Sequence, residues 1–377
     1  MRKAMLLLLL LPLLTGCWDR LELRKLNLVD VAGFDLNEEN GEKEIYYIVS
    51  KLKSTGQGSG DVISQVTKLK GASLVESVGQ GQYTDQAPFL GVTTGTYLLS
   101  ESFASHDPIS ALDFLLKTPY SSINVPVVIF EGDMAKFLDT VPKANTEFTT
   151  NLYDFNKALE RNHILSNISM MNLILSKEEP FTDIAVPVMK QSEMGVELGG
   201  ALLFRQGLST ETKLSKEQVQ MMVLMQGTGA GNQRYTGNMP EKGKKQLTTD
   251  KNKQNNYAFS VKNEHSKIKF TSKSNKLQKV KVNVKLKINV FDLGKSFHQN
   301  KPDYINHMEK ELSNHLKNLA VTTLETMQKA NCDILGIGKE LKAHHPDIWK
   351  SLDWRKDYPR MKIEPTFDVQ IINSDVE

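Results

Sequence analysis

The sequence contains very little cysteine. Of its 377 residues only Cys17 and Cys332 are cysteines, so the chain cannot carry the dense disulfide framework of small secreted domains or a set of thiolates for zinc. A metal or thiol-based role is therefore not expected. The apolar neighbours of Cys332, which include Ile334 and Ile337, instead predict a buried and unreactive thiol.

Excess charge of one sign and catalytic motifs are missing as well. The formal net charge is only +3, so no overall field favours a nucleic acid partner. The chain has no Gly-x-Ser-x-Gly, His-Glu-x-x-His or P-loop pattern. His307 and His315 stand eight residues apart, which is not the spacing of a metal pair on one helix. We therefore expect no enzyme, no catalytic residues and no metal.

Long apolar runs are also lacking. Ala4–Leu14 is shorter than the roughly twenty residues that a membrane helix needs, and its length is typical of a secretory signal. Gly16 and Cys17 follow it in the pattern of a bacterial lipobox, in which the cysteine takes a diacylglyceryl group and becomes the first mature residue. We predict a signal peptide at residues 1–16 and a mature chain, Cys17–Glu377, whose only bound group is the lipid on Cys17, held in a lipid bilayer. An ordinary cleaved signal before a structural cysteine, or an uncleaved anchor, are the alternatives.

Local patterns predict a mixture of helices and strands. A β-hairpin is expected where Leu26–Leu36 and Ile45–Leu52 flank an Asn-Gly step. Further strands are predicted at Val92–Leu99, Val125–Phe130, Val186–Met189, Ala201–Phe204 and Ile363–Ile372, with Leu69–Val78 and Met170–Leu175 as two more candidates. Helices are expected after the caps Asp107 and Ser215 and over Leu152–Ile164. The fold class is therefore α+β, multidomain, with mixed or antiparallel sheets and packed helices, and no standard enzyme fold is expected.

Lysine is concentrated in one segment. From Lys242 to Lys287 there are fourteen lysines and two acidic residues. At the end of this segment, Lys279–Val290 alternates between polar residues, mostly lysine, and apolar residues, which predicts a strand in a sheet that is open to water on one side. The lysines either solvate the sheet and block aggregation, which is the favoured interpretation, or face anionic phospholipid or an acidic partner.

Glycine-containing segments indicate where two predicted helices end. Gly227–Gly231 follows a helix rather than a strand, so it predicts a helix stop and not a dinucleotide loop. A long amphipathic helix is expected at residues 303–331. After it, Asp333 should accept hydrogen bonds from the glycine-containing loop or cap the next helix, and Trp349 and Trp354 should anchor the core.

Three segments are landmarks that together run across nearly the whole mature chain. They are Gly-Cys-Trp-Asp-Arg-Leu-Glu at Gly16–Glu22, Gly-Gly-Ala-Leu-Leu-Phe at Gly199–Phe204, and Cys-Asp-Ile-Leu-Gly-Ile-Gly at Cys332–Gly338 with the tryptophans that follow. In this combination the chain resembles the Ger(x)C family, the lipoprotein C subunits of nutrient germinant receptors in spore-forming bacteria.

The resemblance implies a non-enzymatic, lipid-anchored receptor subunit that is needed for nutrient-triggered germination. Its implied partners are a multi-spanning A-type subunit and a transporter-like B-type subunit, at the outer face of the spore inner membrane, with the nutrient held elsewhere, most of all by the B-type subunit. We divide the mature chain into an N-terminal Ger(x)C-type part at residues 17–195 and a C-terminal part at residues 196–377, both α+β.

Two alternatives come from other classes of protein. A solute-binding lipoprotein of a transporter would need two similar α/β lobes around a cleft. An envelope hydrolase would need a polar cleft with perturbed carboxylates. The sequence shows no clear repeat of strand-helix units that would favour the first alternative.

Overall fold

The computed structural model describes most of the chain. The described residues are 27–53, 61–84, 89–118, 121–144, 147–165, 168–179, 181–193, 195–228, 234–238, 256–274, 276–292 and 302–373. The predicted signal peptide, Cys17 and the glycines after residue 228 lie outside them. Within the described part of the chain, no helix combines the length and the apolar composition that crossing a membrane requires.

The first sheet is mixed and has nine strands among the described residues. These are β1 Asn27–Leu36, β2 Lys43–Lys53, β3 Asp61–Gly71, β4 Phe89–Leu90, β5 Thr96–Ser100, β6 Val127–Glu131, β7 Ile184–Ser192, β8 Gly195–Arg205 and β9 Leu208–Leu214. The order is β3-β2-β1-β5-β6-β7-β8-β9, with β4 also beside β1. The four adjacent strands β1, β5, β6 and β7 pair in parallel, and antiparallel pairs flank them on both sides. The predicted hairpin is confirmed as β1 and β2.

Helices cover both faces of this sheet. They are α1 Leu74–Gln80, α2 Glu101–Ser105, α3 Pro108–Leu112, α4 Met134–Ala144, α5 Phe148–Arg161 and α6 Met170–Leu175. On one face, Val128 packs in a core with Phe137 of α4 and Leu152 of α5. On the other face, Ile129 packs with residues of α2, α3 and α6 such as Phe103. The continuous apolar run at β6 is therefore covered on both sides, as the sequence predicts.

Two predicted strands are helices instead. The region predicted as a strand at Leu69–Val78 contains only the end of β3, because Ser73 caps α1 by accepting a hydrogen bond from the Glu76 N–H. Met170–Leu175 is α6, and its N-terminus carries a capping box in which Ser169 and Asn172 exchange side-chain and backbone hydrogen bonds. In both places a polar capping residue next to an apolar run favours a helix over a strand. The cap satisfies N–H groups that a strand would have to pair across a sheet.

The second sheet has the order β10-β11-β12-β13. Its strands are β10 Arg234–Asn238, β11 Asn256–Lys273, β12 Lys276–Asp292 and β13 Ile363–Asn373. β10, β11 and β12 are antiparallel, and β13 is parallel to β12. The alternation predicted for β12 is confirmed, because Val282, Val284 and Leu286 are buried against the long helix α8, Pro302–Lys329.

A helix between the sheets joins their cores. α7, Lys216–Gln226, begins at the predicted Ser215 cap with its capping box and ends at Gly227 in the left-handed conformation. Met222 of α7 belongs to the core of the first sheet, whereas Leu224 belongs to the core of the second. α7 is therefore buried on several sides, which fits its uniformly apolar second half.

Three short helices follow α8. They are α9 Ile337–His344, α10 Pro346–Trp349 and α11 Trp354–Asp357. Trp354 and Tyr358 are buried in a small core with Ile337, and Trp349 packs against it, so both tryptophans anchor the core as predicted. The architecture is α+β and multidomain, as the sequence predicts. β8 and β9 lie after residue 195 but belong to the first sheet.

Candidate functional site

The loop between α8 and α9 lies where the two sheets meet. It begins at Asn331, whose positive φ of 51° ends α8, and it continues into the Cys332–Gly338 landmark. Cys332 is fully buried, and its thiol donates to the Phe204 carbonyl of β8 at 3.3 Å. The expectation of a buried thiol is confirmed. One landmark of the sequence therefore contacts another, Gly199–Phe204, directly.

Asp333 caps α9 from four residues before the first residue of the helix. Its carboxylate accepts hydrogen bonds from the N–H groups of Ile337 at 3.0 Å and Gly338 at 2.7 Å. Gly336 makes the turn possible, because its φ of 69° lies in the left-handed region that favours glycine. The prediction that Asp333 caps the next helix is thus confirmed, since both N–H groups belong to the first turn of α9.

A second buried carboxylate joins the N-terminal and C-terminal parts of the chain. Asp183, directly before β7, binds the guanidinium of Arg355 in α11 through two hydrogen bonds of 2.7 and 2.9 Å. The same Asp183 accepts the N–H of Asp333 at 2.7 Å. Two parallel bonds between a guanidinium and a carboxylate fix both distance and orientation. We call Asp183, Asp333 and Arg355, with Cys332, the buried junction.

Neutral hydrogen bonds surround the buried junction. Arg355 also donates to the Asn331 carbonyl at 3.2 Å, and the Asn331 amide donates to the Arg355 carbonyl at 2.7 Å. The Tyr358 hydroxyl donates to the Cys332 carbonyl at 3.1 Å. From the other side, Gln226 at the end of α7 donates to the Ile334 carbonyl at 3.2 Å. The loop is therefore held by the first sheet, by α7 and by α11 together.

Burial controls the ionisation of these groups. Burial raises the pKa of Asp333 to about 6, although the N–H groups of Gly338 and Ile337 act in the opposite direction. Burial likewise raises the pKa of the Cys332 thiol and of the Tyr358 hydroxyl well above their ordinary values, with the nearby carboxylates adding to the effect. The thiol is consequently protonated, and a protonated, buried thiol is a poor nucleophile.

This arrangement holds parts of the chain together, and its carboxylates are not available to react with a substrate. Asp183 and Asp333 are both buried, and their oxygens are occupied by backbone N–H groups and a guanidinium. No group of three or more His, Cys, Asp or Glu side chains among the described residues is arranged to hold a metal ion. His307 and His315 lie on α8, where His307 approaches Glu311 at 3.9 Å and His315 packs against the ring of Tyr257.

The sequence pointed to only part of the buried junction. Cys332 and Asp333 were singled out, whereas Asp183 and Arg355 were not, because a single aspartate before a strand and a single arginine between Trp354 and Lys356 carry no spacing signal. Cys17, the predicted lipidation site, lies outside the described residues.

A groove lies on the first sheet, away from the buried junction. It has a volume of about 580 Å³ and is lined by residues of the β1–β2 turn and α2, among them Leu36, Lys43, Phe103 and His106. It does not lie between two similar lobes. The two sheets also differ in strand number and topology, so the architecture that a solute-binding lipoprotein would need is not present in the described residues.

Comparison with known proteins places the chain in a family. The model described as "Spore germination protein N-terminal domain" matches residues 19–191, and the model described as "Spore germination B3/ GerAC like, C-terminal" matches residues 199–375. The chain belongs to the Ger(x)C family. The members of this family are germinant receptor C subunits, and the chain accordingly has a role in spore germination within a complex with other receptor subunits.

Two individual proteins are similar to the chain over most of their lengths, one in sequence and one in fold. The chain is 20% identical to "Spore germination protein GerQC" of Bacillus cereus over 380 residues, which covers 100% of this chain and 99% of the relative. The crystal structure of the GerBC protein has the same fold, with a TM-score of 0.58 at 15% identity over 91% of this Ger(x)C chain and 97% of that one. The buried junction joins the two matched regions, since Asp183 lies in the first and Asp333 and Arg355 lie in the second.

Proposed function

We propose that this Ger(x)C protein works as a lipid-anchored, non-enzymatic C subunit of a nutrient germinant receptor. The observation that carries the proposal is the match of both family regions, in order, along one chain. A non-enzymatic role is supported by the buried junction, whose carboxylates serve capping and pairing and face no cleft. The proposed partners are an A-type and a B-type membrane subunit, and the nutrient is bound outside this chain.

The proposed location is the outer face of the spore inner membrane, with attachment through a diacylglyceryl group on Cys17. The lipobox at Gly16 and Cys17 supports this attachment. A diacylglyceryl group carries two acyl chains, and stable anchoring of a protein takes about two such signals rather than one.

Fatty-acid labelling tests the anchor. Cells that express the wild type, Cys17→Ala or Cys332→Ala are grown with an alkyne fatty acid, and the immunoprecipitated protein is assayed for label. The matched control is Cys332→Ala, because it removes the other cysteine, which is buried. We expect label on the wild type and on Cys332→Ala but none on Cys17→Ala. An unlabelled wild type, or a labelled Cys17→Ala protein, would contradict lipidation at Cys17.

Gene deletion tests the receptor role. Spores that lack this gene, in a strain without related receptors, are exposed to a panel of amino acids, sugars and nucleosides, and to dodecylamine. We expect nutrient germination to be lost and restored by the wild-type gene, while dodecylamine germination is unchanged because it bypasses the receptors. Normal germination with every nutrient in that strain would refute the role.

A further inference from the structure

The second sheet has one face that no element of the described chain covers. α8 packs on the opposite face, so the side chains that alternate with the buried valines of β12 point into water. On β11 and β12 these outward residues are mainly basic: His265, Lys267, Lys269, Lys281, Lys285 and Lys287. We call this set the cationic face. Lys281 and Lys287 lie six residues apart on one strand, which is roughly 20 Å.

The cationic face carries more positive than negative charge among the described residues. No described ion pair involves Lys267, Lys269, Lys281, Lys285 or Lys287. The strand register places Lys269 directly opposite Lys281, and like charges in opposite positions of a sheet are destabilising. The adjoining strand β13 brings two carboxylates to the same face: Asp368, which is exposed and in register with Lys285, and Glu364, which is paired with Lys279 at 3.1 Å and Lys362 at 2.9 Å. With Asp368 counted, the face still presents a net positive charge.

One end of the same face is apolar. Phe291 of β12 is 46% exposed and Ile372 of β13 is 48% exposed, and each follows a residue that packs toward α8, Val290 or Ile371, so both project on the cationic side. The guanidinium carbon of Arg234 lies 5.2 Å from the centre of the Phe291 ring. Lysines next to exposed aromatic and aliphatic side chains form the composition that binds at the interface of an anionic membrane, where the apolar groups enter the boundary between headgroups and acyl chains.

We propose that the cationic face, with Phe291 and Ile372, binds the surface of a bilayer that contains anionic phospholipid. This proposal rests on the proposed function, because the lipid on Cys17 is what brings the chain to a membrane. Ten residues, Cys17–Leu26, lie between that lipid and β1, and they span at most roughly 35 Å. An acidic protein could match the lysines, but it would not account for two exposed apolar side chains on the same surface.

The direct test is co-sedimentation with vesicles. The mature chain from residue 17, with Cys17→Ala and without residues 1–16, is mixed with vesicles of phosphatidylcholine alone or of phosphatidylcholine with phosphatidylglycerol. We expect binding only to the anionic vesicles, and weaker binding at high salt because added ions screen surface charge. Since the protein in this assay carries no lipid, the result does not depend on whether Cys17 is modified in the cell.

Matched variants assign the binding to the face. In Lys281→Gln/Lys285→Gln/Lys287→Gln the partition coefficient should fall roughly hundredfold, because each lysine near an anionic surface contributes ~1 kcal/mol and 1.4 kcal/mol is about tenfold. The control variant changes three exposed lysines on the other side of the same region to Gln: Lys310, Lys317 and Lys339. It loses the same charge and should bind as the wild type does.

A variant of Phe291 tests whether binding includes insertion of apolar side chains into the bilayer or only attraction between charges. Phe291→Ser keeps every lysine and should weaken binding severalfold, with the loss persisting at high salt because apolar insertion is not screened. Circular dichroism and the melting temperature verify that each variant is folded. The proposal is overturned if the wild-type chain ignores anionic vesicles, as it would if the face served an acidic protein, or if the control variant weakens binding as much as the triple variant does.

Discussion

Arg355 is the residue whose replacement tests the buried junction most directly. Arg355→Met keeps much of the length of the side chain but removes the guanidinium that holds both oxygens of Asp183. The Asp183 side chain is 0% exposed, so its carboxylate would remain buried with only the Asp333 N–H as a described donor. A buried charge that has lost its partner is strongly destabilising because water cannot replace that partner.

The expected loss of folding stability in Arg355→Met follows from that geometry. Removal of one partner from a buried pair costs about 3–5 kcal/mol. The Arg355 side chain is 23% exposed, so solvent screens the pair in part, and we expect the lower end, about 3 kcal/mol. For a unit of 150–250 residues this lowers the melting temperature by roughly 6–12 °C. Arg355→Lys should lose less, since it keeps the charge but cannot form two parallel bonds.

The assay compares melting curves of the mature chain with those of a neighbouring control. Lys356→Met removes the next side chain of α11, which forms an exposed ion pair with Asp353 at 2.6 Å, and it should change the melting temperature little. If Arg355→Met melts at the same temperature as Lys356→Met, then the pair with Asp183 does not hold the two family regions together, and our reasoning about the buried junction is refuted.

Three further changes should have measurable effects on unfolding. Burial raises the pKa of Asp333 to about 6. The stabilising contribution of the protonated carboxyl is therefore full below about pH 4 and is lost as the pH rises through 6. When the pH is raised from about 5 to 7, the free energy of unfolding should fall by ~1 kcal/mol less in Asp333→Asn than in the wild type, because asparagine does not titrate. Gly338→Ala should lower the melting temperature, since a Cβ there would lie 2.5 Å from the Trp354 ring, whereas Gly79→Ala in α1 has open space and should raise it. Ser215→Ala removes the cap of α7 and should lower the free energy of unfolding, measured by denaturant titration, by about 1 kcal/mol.

Features with a local physical cause could be predicted from the sequence. The capping box at Ser215 and the alternation of β12 each depend on residues within a few positions of one another. The residues that form the sequence pattern are therefore the same ones that interact in the structure. Asp333 belongs to the same group, because the N–H groups that it caps follow it by four and five residues. Local hydrogen bonds and periodicity are visible in a single sequence.

Features that depend on distant residues could not be predicted. Asp183 and Arg355 are 172 residues apart, and nothing near either one indicates the other. The cationic face shows the same limit, because the sequence reveals a lysine-rich strand but only the register shows that Lys269 faces Lys281 across β11 and β12. The helices α1 and α6 were missed for another reason, since short apolar runs satisfy both helix and strand patterns and the caps decided between them.

The Cys332–Gly338 landmark presents little surface to a partner subunit, because five of its seven residues are buried. Cys332, Asp333 and Ile337 are buried, and their polar atoms bind Phe204, Asp183 and the backbone of α9. Such a segment specifies how the two family regions are placed against each other. Contacts with other receptor subunits, and the bilayer contact that we propose, must instead use exposed surfaces such as the cationic face. A substitution in the landmark should therefore act on the receptor through the stability and placement of this chain, and a substitution on the exposed surfaces should act through binding while the melting temperature stays unchanged.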